Sequence, residues 1–312
     1  MNARAQTDFA TLDTPLSNQL EAIGVSVVIG DKTLLQPTSC VFKAGQVTAI
    51  LGPNGAGKST LMSVLTGQRV PDTGRVQFHG QDLKDCAPSE LAKLRAFVAQ
   101  ETQVAFDFMV REVVELGRYP HRRQPSPQEA NIPALAMQST HVNHLETRPL
   151  NTLSGGEKAR AHLARALAQV WEPTVKPCAA LGCPKQPQRP TGAESYAPAR
   201  ESGSSVPRWL LLDEPTAALD LQHQHRMLQL ARVWAQSQGI GVVAVLHDLN
   251  LALRYSDTAL VLANGQLLAQ GKTPEILSPE RIGEVWGVTA HPVARCGLVQ
   301  YVFEPTDKTL HN

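Results

Sequence analysis

The sequence is poor in aromatic residues, which make up 5% of its 312 positions, and it has only five cysteines. No two of those cysteines form a CxxC pair, which rules out a disulfide framework, argues against a zinc ribbon and fits a reducing compartment. Neither sign of charge is in surplus: 29 basic residues against 28 acidic ones leave a net charge of +1. Overall charge therefore gives no reason to expect a nucleic acid or anionic lipid partner. Long apolar runs are missing as well. Stretches such as Gly241–Leu246 stop far short of the roughly 18 residues that a membrane-spanning helix requires. Residues Met1 to Gln19 hold no apolar segment of the kind a secretory signal carries.

Proline, by contrast, is plentiful and unevenly spread. Residues 172–207 hold seven of the 22 prolines, together with Gly, Ser, Lys and Arg, and follow neither strand nor helix periodicity. They read as a disordered insert that loops outward. Residues 1–18 read as a disordered leader. Between them, Val25–Ile29 and Thr33–Leu35 flank a Gly30–Asp31 turn and suggest a hairpin. Val47–Leu51, apolar and β-branched between glycines, has the profile of a buried strand. A helix is expected to follow as far as Gly67, then strands at 75–78 and 96–100. Arg111–Arg118 and Ser126–Gln138 read as helices of a separate helical section over about 101–170. Glu157–Val170 is amphipathic, with Ala159, Leu163, Ala166, Leu167 and Val170 on one face. Beyond the insert come a strand at Trp209–Asp213, a helix at Leu221–Gln238, a strand at Val242–Leu246 and a hairpin turning at Asn264–Gly265. The tail, 272–312, contains helix-like pieces at Pro274–Leu277 and Pro279–Trp286 and a strand-like Gly297–Phe303. Strands alternating with helices predict an α/β fold around a mainly parallel sheet.

Three segments carry chemistry. Gly52, Pro53, Asn54, Gly55, Ala56, Gly57, Lys58, Ser59 and Thr60 match the P-loop spacing. Its glycines let backbone N–H groups wrap phosphates, its lysine supplies charge, and its serine can ligate Mg²⁺. Leu210–Glu214 is an apolar strand ending in two carboxylates, with Asp213 suited to a metal and Glu214 to an attacking water. Leu153–Glu157 places a serine and two glycines at a helix start, where free N–H groups and the helix dipole favour an anion. The same residues would also make a capping box. The His223–His225 pair does not share a helical face, so both residues read as solvated rather than metal-binding. Cys178 and Cys183 read as loop thiols, and the basic run Arg118–Arg123 as a solvated loop open to partner contact.

Together these segments resemble the ATP-binding-cassette transporter ATPases from Val25 to Gly271, residues 172–207 apart. Gly52–Thr60 resembles the Walker A motif, Leu210–Glu214 Walker B, and Leu153–Glu157 the signature motif in a form that ends in Glu. Gln100 stands at the Q-loop position, Ala217–Asp220 is similar to the D-loop, and His247 matches the switch histidine. The resemblance implies a P-loop NTPase cassette over 19–271, with a RecA-like core, an antiparallel β-subdomain and a helical signature subdomain. It also implies a homodimer in which the P-loop of one copy and Ser154, Gly155 and Gly156 of the other sandwich ATP, with Asp220 of the D-loop also binding nucleotide. Ser59, Asp213 and Gln100 would hold Mg²⁺, with Glu214 as general base, His247 orienting the γ-phosphate and Lys58 neutralising it. The family's adenine-stacking aromatic is missing, and its position aligns with Val27.

Within the family, His247–Asn250, Leu251–Tyr255, Leu116–His121 and the Glu-ending signature are similar to importers of iron chelates, haem and cobalamin, and most of all to haemin importers. A ferric-siderophore or cobalamin importer is the alternative. Such membership implies two transmembrane permease subunits, an indirect partnership with a periplasmic substrate-binding protein, and a place on the cytoplasmic face of a bacterial inner membrane. The interval from Lys58 to Asp213, with residues 172–207 set aside, leaves no room for the long coiled-coil arm of a chromosome-type cassette ATPase. The single Walker A motif argues against a translation-factor type.

Overall fold

The computed structural model describes residues 18–100, 107–171, 206–295 and 298–305. The expected leader but for Asn18, and all of the expected insert but Val206 and Pro207, including Cys178 and Cys183, lie outside them.

Strands β1 (Gln19–Ile29) and β2 (Lys32–Lys43) form the expected hairpin, longer than the sequence suggests, turning at Gly30 with φ of 57°. Strand β3 (Val47–Leu51) is buried at every position and leads through a glycine-rich loop into helix α1 (Lys58–Leu65). Strands β4 (Thr73–Phe78) and β5 (Gln81–Asp82) complete an antiparallel sheet ordered β2-β1-β4-β5. Helix α2 (Pro88–Leu94) then precedes β6 (Arg95–Val98). The helical section contributes α3 (Val110–Leu116), α4 (Ile132–Ser139) and α5 (Gly155–Gln169). Strand β7 (Trp209–Asp213), helix α6 (Leu221–Gln238), strand β8 (Gly241–Val245) and helix α7 (Leu249–Tyr255) follow. The hairpin β9 (Thr258–Ala263) and β10 (Gln266–Lys272) turns at Asn264–Gly265, as expected. Helices α8 (Thr273–Ile276) and α9 (Pro279–Trp286) lead to a last hairpin, β11 (Val288–Arg295) and β12 (Leu298–Pro305).

The central sheet is ordered β10-β9-β3-β8-β7-β6, and every neighbouring pair is parallel except β10 with β9. Its middle strands β3, β8 and β7 are buried at all five positions, as strands covered on both faces must be. Side chains alternate between the two faces. Ala49, Leu210, Leu212 and Ala244 enter a core shared with α5, α6 and α7. Ile50, Leu211 and Val243 enter a second core shared with α1 and the antiparallel sheet.

Three expectations change. The helix expected over Ser126–Gln138 starts only at Ile132, with proline in its first turn, after a short 3-10 turn at Glu129–Asn131. Arg118 is itself not part of a solvated run. It is 7% exposed, forms a two-pronged ion pair with Glu129 at 2.7 and 2.9 Å, and donates to the carbonyls of Ala168 and Trp171. Val206 and Pro207 belong to the ordered body rather than the insert: Val206 joins the second core and the Pro207 carbonyl meets His79 Nε2 at 2.9 Å.

Candidate functional site

Four neighbouring parallel strands, β3, β8, β7 and β6, end at the same edge of the sheet, the edge where open α/β sheets bind ligands. Each delivers one expected residue group there: Gly52–Thr60 after β3, His247 after β8, Glu214 after β7 and Gln100 after β6.

The loop after β3 is shaped by its glycines. Gly52, at φ of 150°, has no room for a side chain, since a Cβ would stand 2.1 Å from the Leu262 carbonyl oxygen. Gly57, at φ of 97°, is the N-cap of α1 and would place a Cβ 2.9 Å from the Leu34 oxygen. Lys58 is 5% exposed and donates to the carbonyls of Gly52 and Pro53, both at 2.9 Å. Burial lowers its pKa from the usual lysine range, opposed by the nearby carboxylates of Glu214 and Asp213. Its ammonium thus closes the loop on itself and can turn to a phosphate that offers more negative charge.

Asp213 ends β7 and is 9% exposed. Burial raises its pKa, with Glu214 adding to the rise and the Ser59 hydroxyl, Lys58 and His247 opposing it. The Asp213 Oδ1 is buried with no hydrogen-bond partner. An orphaned buried carboxylate oxygen beside a hydroxyl suits a hard cation with oxygen ligands. Among the described residues no group of three or more His, Cys, Asp or Glu is placed to hold a metal ion, so such a cation would need ligands from elsewhere, as phosphate oxygens provide.

Glu214 has a left-handed backbone, with φ of 49°, which costs a non-glycine residue strain and is typical of functional sites. That turn aims its carboxylate at two partners. Gln100 Nε2 donates to Oε2 at 2.7 Å, and His247 Nε2 lies 2.7 Å from Oε1. Residues 114 and 33 positions apart in sequence thus meet on one carboxylate.

Ser154 caps α5. Its hydroxyl accepts from the Glu157 N–H at 3.3 Å, while Glu157 Oε2 takes the Ser154 N–H and hydroxyl at 2.9 and 2.8 Å. These bonds lower the pKa of Glu157. The capping box and the anion-site reading therefore coexist, because the N–H groups of Gly155 and Gly156 are not used by the cap. The two glycines abut the 218–219 segment. Asp220 caps α6 and bonds His223 through its N–H at 2.8 Å and its Nδ1 at 2.7 Å. His223 and His225 are therefore not merely solvated, since His225 Nδ1 also meets the Tyr255 hydroxyl at 2.8 Å.

A cleft of about 500 Å³ is lined by Asn54–Thr60, Glu214, Lys32, Thr33, Leu34, Asn264 and Gly265. The last five were read from sequence only as parts of hairpins. Gly265 fastens its turn to the loop, donating to the Ala56 oxygen at 3.2 Å and accepting from Gln36 at 2.7 Å. Val27 is fully buried in the second core and cannot face this cleft. Its neighbours Val28 and Ile29 are exposed, at 41% and 48%. Ser154, Gly155, Gly156 and Asp220 do not line the cleft in a single chain.

The family model for ABC transporters matches residues 35–172. The chain is 40% identical to the hemin import ATP-binding protein of Methylobacillus flagellatus, over 84% of this chain and 87% of that one. It is also 40% identical to the protein of the same description from Gloeobacter violaceus, over 94% and 99%. Among solved structures, a chain described as an inward-facing metal-chelate type ABC transporter superposes with a TM-score of 0.68 at 25% identity, covering 94% of this chain and 99% of that one.

Proposed function

The chain belongs to the ABC transporter ATPases, and from that membership we propose that it is the ATP-hydrolysing subunit of an importer whose cargo is hemin. It works as a dimer on membrane permease subunits; among the described residues no helix is long and apolar enough to cross a membrane. The observation that carries the catalytic reading is the convergence of Gln100 and His247 on the Glu214 carboxylate beside the phosphate loop.

In this reading Gly52–Thr60 cradle the phosphates through backbone N–H groups, and Lys58 leaves the Gly52 and Pro53 carbonyls for the β/γ oxygens. Mg²⁺ would be held by Ser59, Asp213 and the free amide oxygen of Gln100, and would spread the charge that develops on the transferred phosphate. Glu214 accepts the proton of the attacking water. His247, anchored on the same carboxylate, orients the γ-phosphate and that water. Ser154, Gly155, Gly156 and Asp220 of the second copy close the site, which explains why one chain leaves them away from the cleft. A periplasmic hemin-binding protein would deliver cargo to the permease on the far side of the inner membrane, so no residue of this chain needs to touch it.

Two experiments test the reading. Glu214→Gln preserves shape and an acceptor for Gln100 but removes the base, so hydrolysis should fall by about 10²–10⁴-fold while ATP binding and dimer formation persist. Near-normal turnover by that variant removes Glu214 from the role of base. Growth on hemin as sole iron source should be lost with the gene; loss of siderophore use instead would refute the cargo.

A further inference from the structure

The tail beyond β10 matches none of the motifs above, yet one of its residues is bound to the helix that follows the switch histidine. His247 stands on the short link between β8 and α7. Asp248 caps that helix, its Oδ1 accepting from the N–H groups of Asn250 at 2.7 Å and Leu251 at 3.0 Å. The Asn250 side chain turns the other way, toward the tail. Its Nδ2 donates to the Tyr301 carbonyl at 3.0 Å, and its Oδ1 accepts from the Tyr301 N–H at 2.8 Å. Both backbone groups of one β12 residue are thus satisfied by one amide 51 positions away.

Only an amide side chain sets a donor and an acceptor side by side in the manner of a peptide unit; a carboxylate could not donate to the Tyr301 carbonyl. Tyr301 is fixed in turn. It is 8% exposed, and its hydroxyl donates to the carbonyl of the fully buried Leu277 at 2.7 Å. The rest of the hairpin buries little: Val293, Val299 and Val302 are exposed, and Ala290 and Tyr301 are its buried residues. A two-stranded hairpin is marginal in water on its own; β11 rests on α9, and β12 is tied to the body at Tyr301.

We propose that Asn250 is a positioning residue for His247: clamped to Tyr301, it fixes the first turn of α7 and so the direction in which His247 reaches Glu214. The inference rests on the role given to His247 above and extends it to the tail, which becomes part of the hydrolytic machinery without touching nucleotide. The clamp acts through two hydrogen bonds, so its loss should leave ATP binding alone and slow the step that needs His247.

The test uses the full chain and measures steady-state ATPase, with rates referred to the ATP-binding stoichiometry. Asn250→Ala should lower kcat by about tenfold with KM for ATP within about twofold, the size expected for losing one or two side-chain hydrogen bonds felt mainly in the transition state. Asn250→Asp should fall similarly, because it cannot donate to the Tyr301 carbonyl. The decisive readout is the double variant. In a His247→Ala background, Asn250→Ala should cause no further loss, whereas a general folding defect would lower the rate again. An unchanged kcat in Asn250→Ala, or a full additional loss in the double variant, overturns the inference. If His247→Ala alone hydrolyses ATP at the rate of the unaltered chain, the role of the histidine itself fails; if His247→Ala is impaired and Asn250→Ala is not, only the inference fails.

Discussion

Removing residues 174–205 and closing the gap with about four Gly and Ser residues should leave a folded, active ATPase, with a short flexible closure replacing a long one. The reason lies in the two ends of the segment, which are held without it. On the outgoing side, Trp171 is 4% exposed and packs edge-to-face against Trp234, ring centres 4.8 Å apart. On the returning side, the Arg208 carbonyl accepts from Gly241 at 2.8 Å and the Pro207 carbonyl meets His79 at 2.9 Å. The ends are also tied to each other: Arg208 Nη1 donates to the Val170 carbonyl at 2.7 Å in a buried bond. They therefore lie within one arginine side chain of each other.

A bridge of about eight residues, four native and four added, can extend to about 26 Å at 3.3 Å per residue, ample for that gap. Loop-closure entropy sets the sign of the change in stability. Shortening the loop from about 36 to about eight residues lowers the closure cost by about 1.3 kcal/mol on a (3/2)RT ln n dependence. In a domain of this size that corresponds to a rise in Tm of about 2–4 °C or less. Thermal unfolding and steady-state ATPase measure both consequences: Tm unchanged or slightly higher, kcat within about twofold of the full chain. A fall in Tm of about 5 °C or more, or a folded variant with about a tenth of the activity, would show that residues 174–205 cover the cassette or complete its site.

His162 is 4% exposed with both ring nitrogens lacking hydrogen-bond partners, so His162→Leu should stabilise the chain by about 1–2 kcal/mol in urea unfolding; a loss of stability would mean the ring is satisfied in solution. Burial, followed by Arg165 and Lys158, pushes the His162 pKa down to about 4 from 6.5. The unfolded chain therefore binds this proton before the folded one does, and stability should decline as pH falls from 6.5 toward about 4. His162→Leu should lack that part of the pH dependence, and parallel curves for the two proteins would refute the assignment. Gly241→Ala would set a Cβ 2.4 Å from two Trp209 ring carbons. It should cost about 1–3 kcal/mol by overpacking, read as a lower Tm with unchanged KM for ATP.

The parts legible from sequence share a physical property: their signal is local. β3 and β7 are short apolar runs because both faces are covered, and the phosphate loop is legible because its chemistry needs glycines and a lysine within a few residues. Helix α2 leaves no periodic trace in the sequence, because only Leu91 of its seven residues is buried. Strand β11 leaves none either, because most of it is exposed and it is defined by pairing with β12. Val27, which aligns with the family's adenine-stacking position, lies on an irregular stretch of β1. β1 changes register between Ala22 and Val25, between Val25 and Val27, and again between Val27 and Val28. Each irregularity disturbs the in-and-out alternation, so Val25, Ser26 and Val27 are all buried in succession while Val28 and Ile29 emerge.

What no local pattern could disclose is which motifs share an atom. Gln100, Glu214 and His247 can each be named from its own neighbours, but their convergence on one carboxylate follows from strand order. β6, β7 and β8 are adjacent and parallel, so their carboxyl ends bring residues from distant parts of the chain to within 2.7 Å of that carboxylate. The same logic governs the tail. Asn250 looks like one more polar residue on a helix until β12 is set against α7, after which its amide fits a single backbone position. In the proposed reading, hydrolysis depends on a handful of side chains whose identities are local and whose alignment is topological. Substitutions that disturb it without touching nucleotide should therefore be sought where a strand end or the first turn of a helix is held from a distance, with Asn250 the best-defined instance.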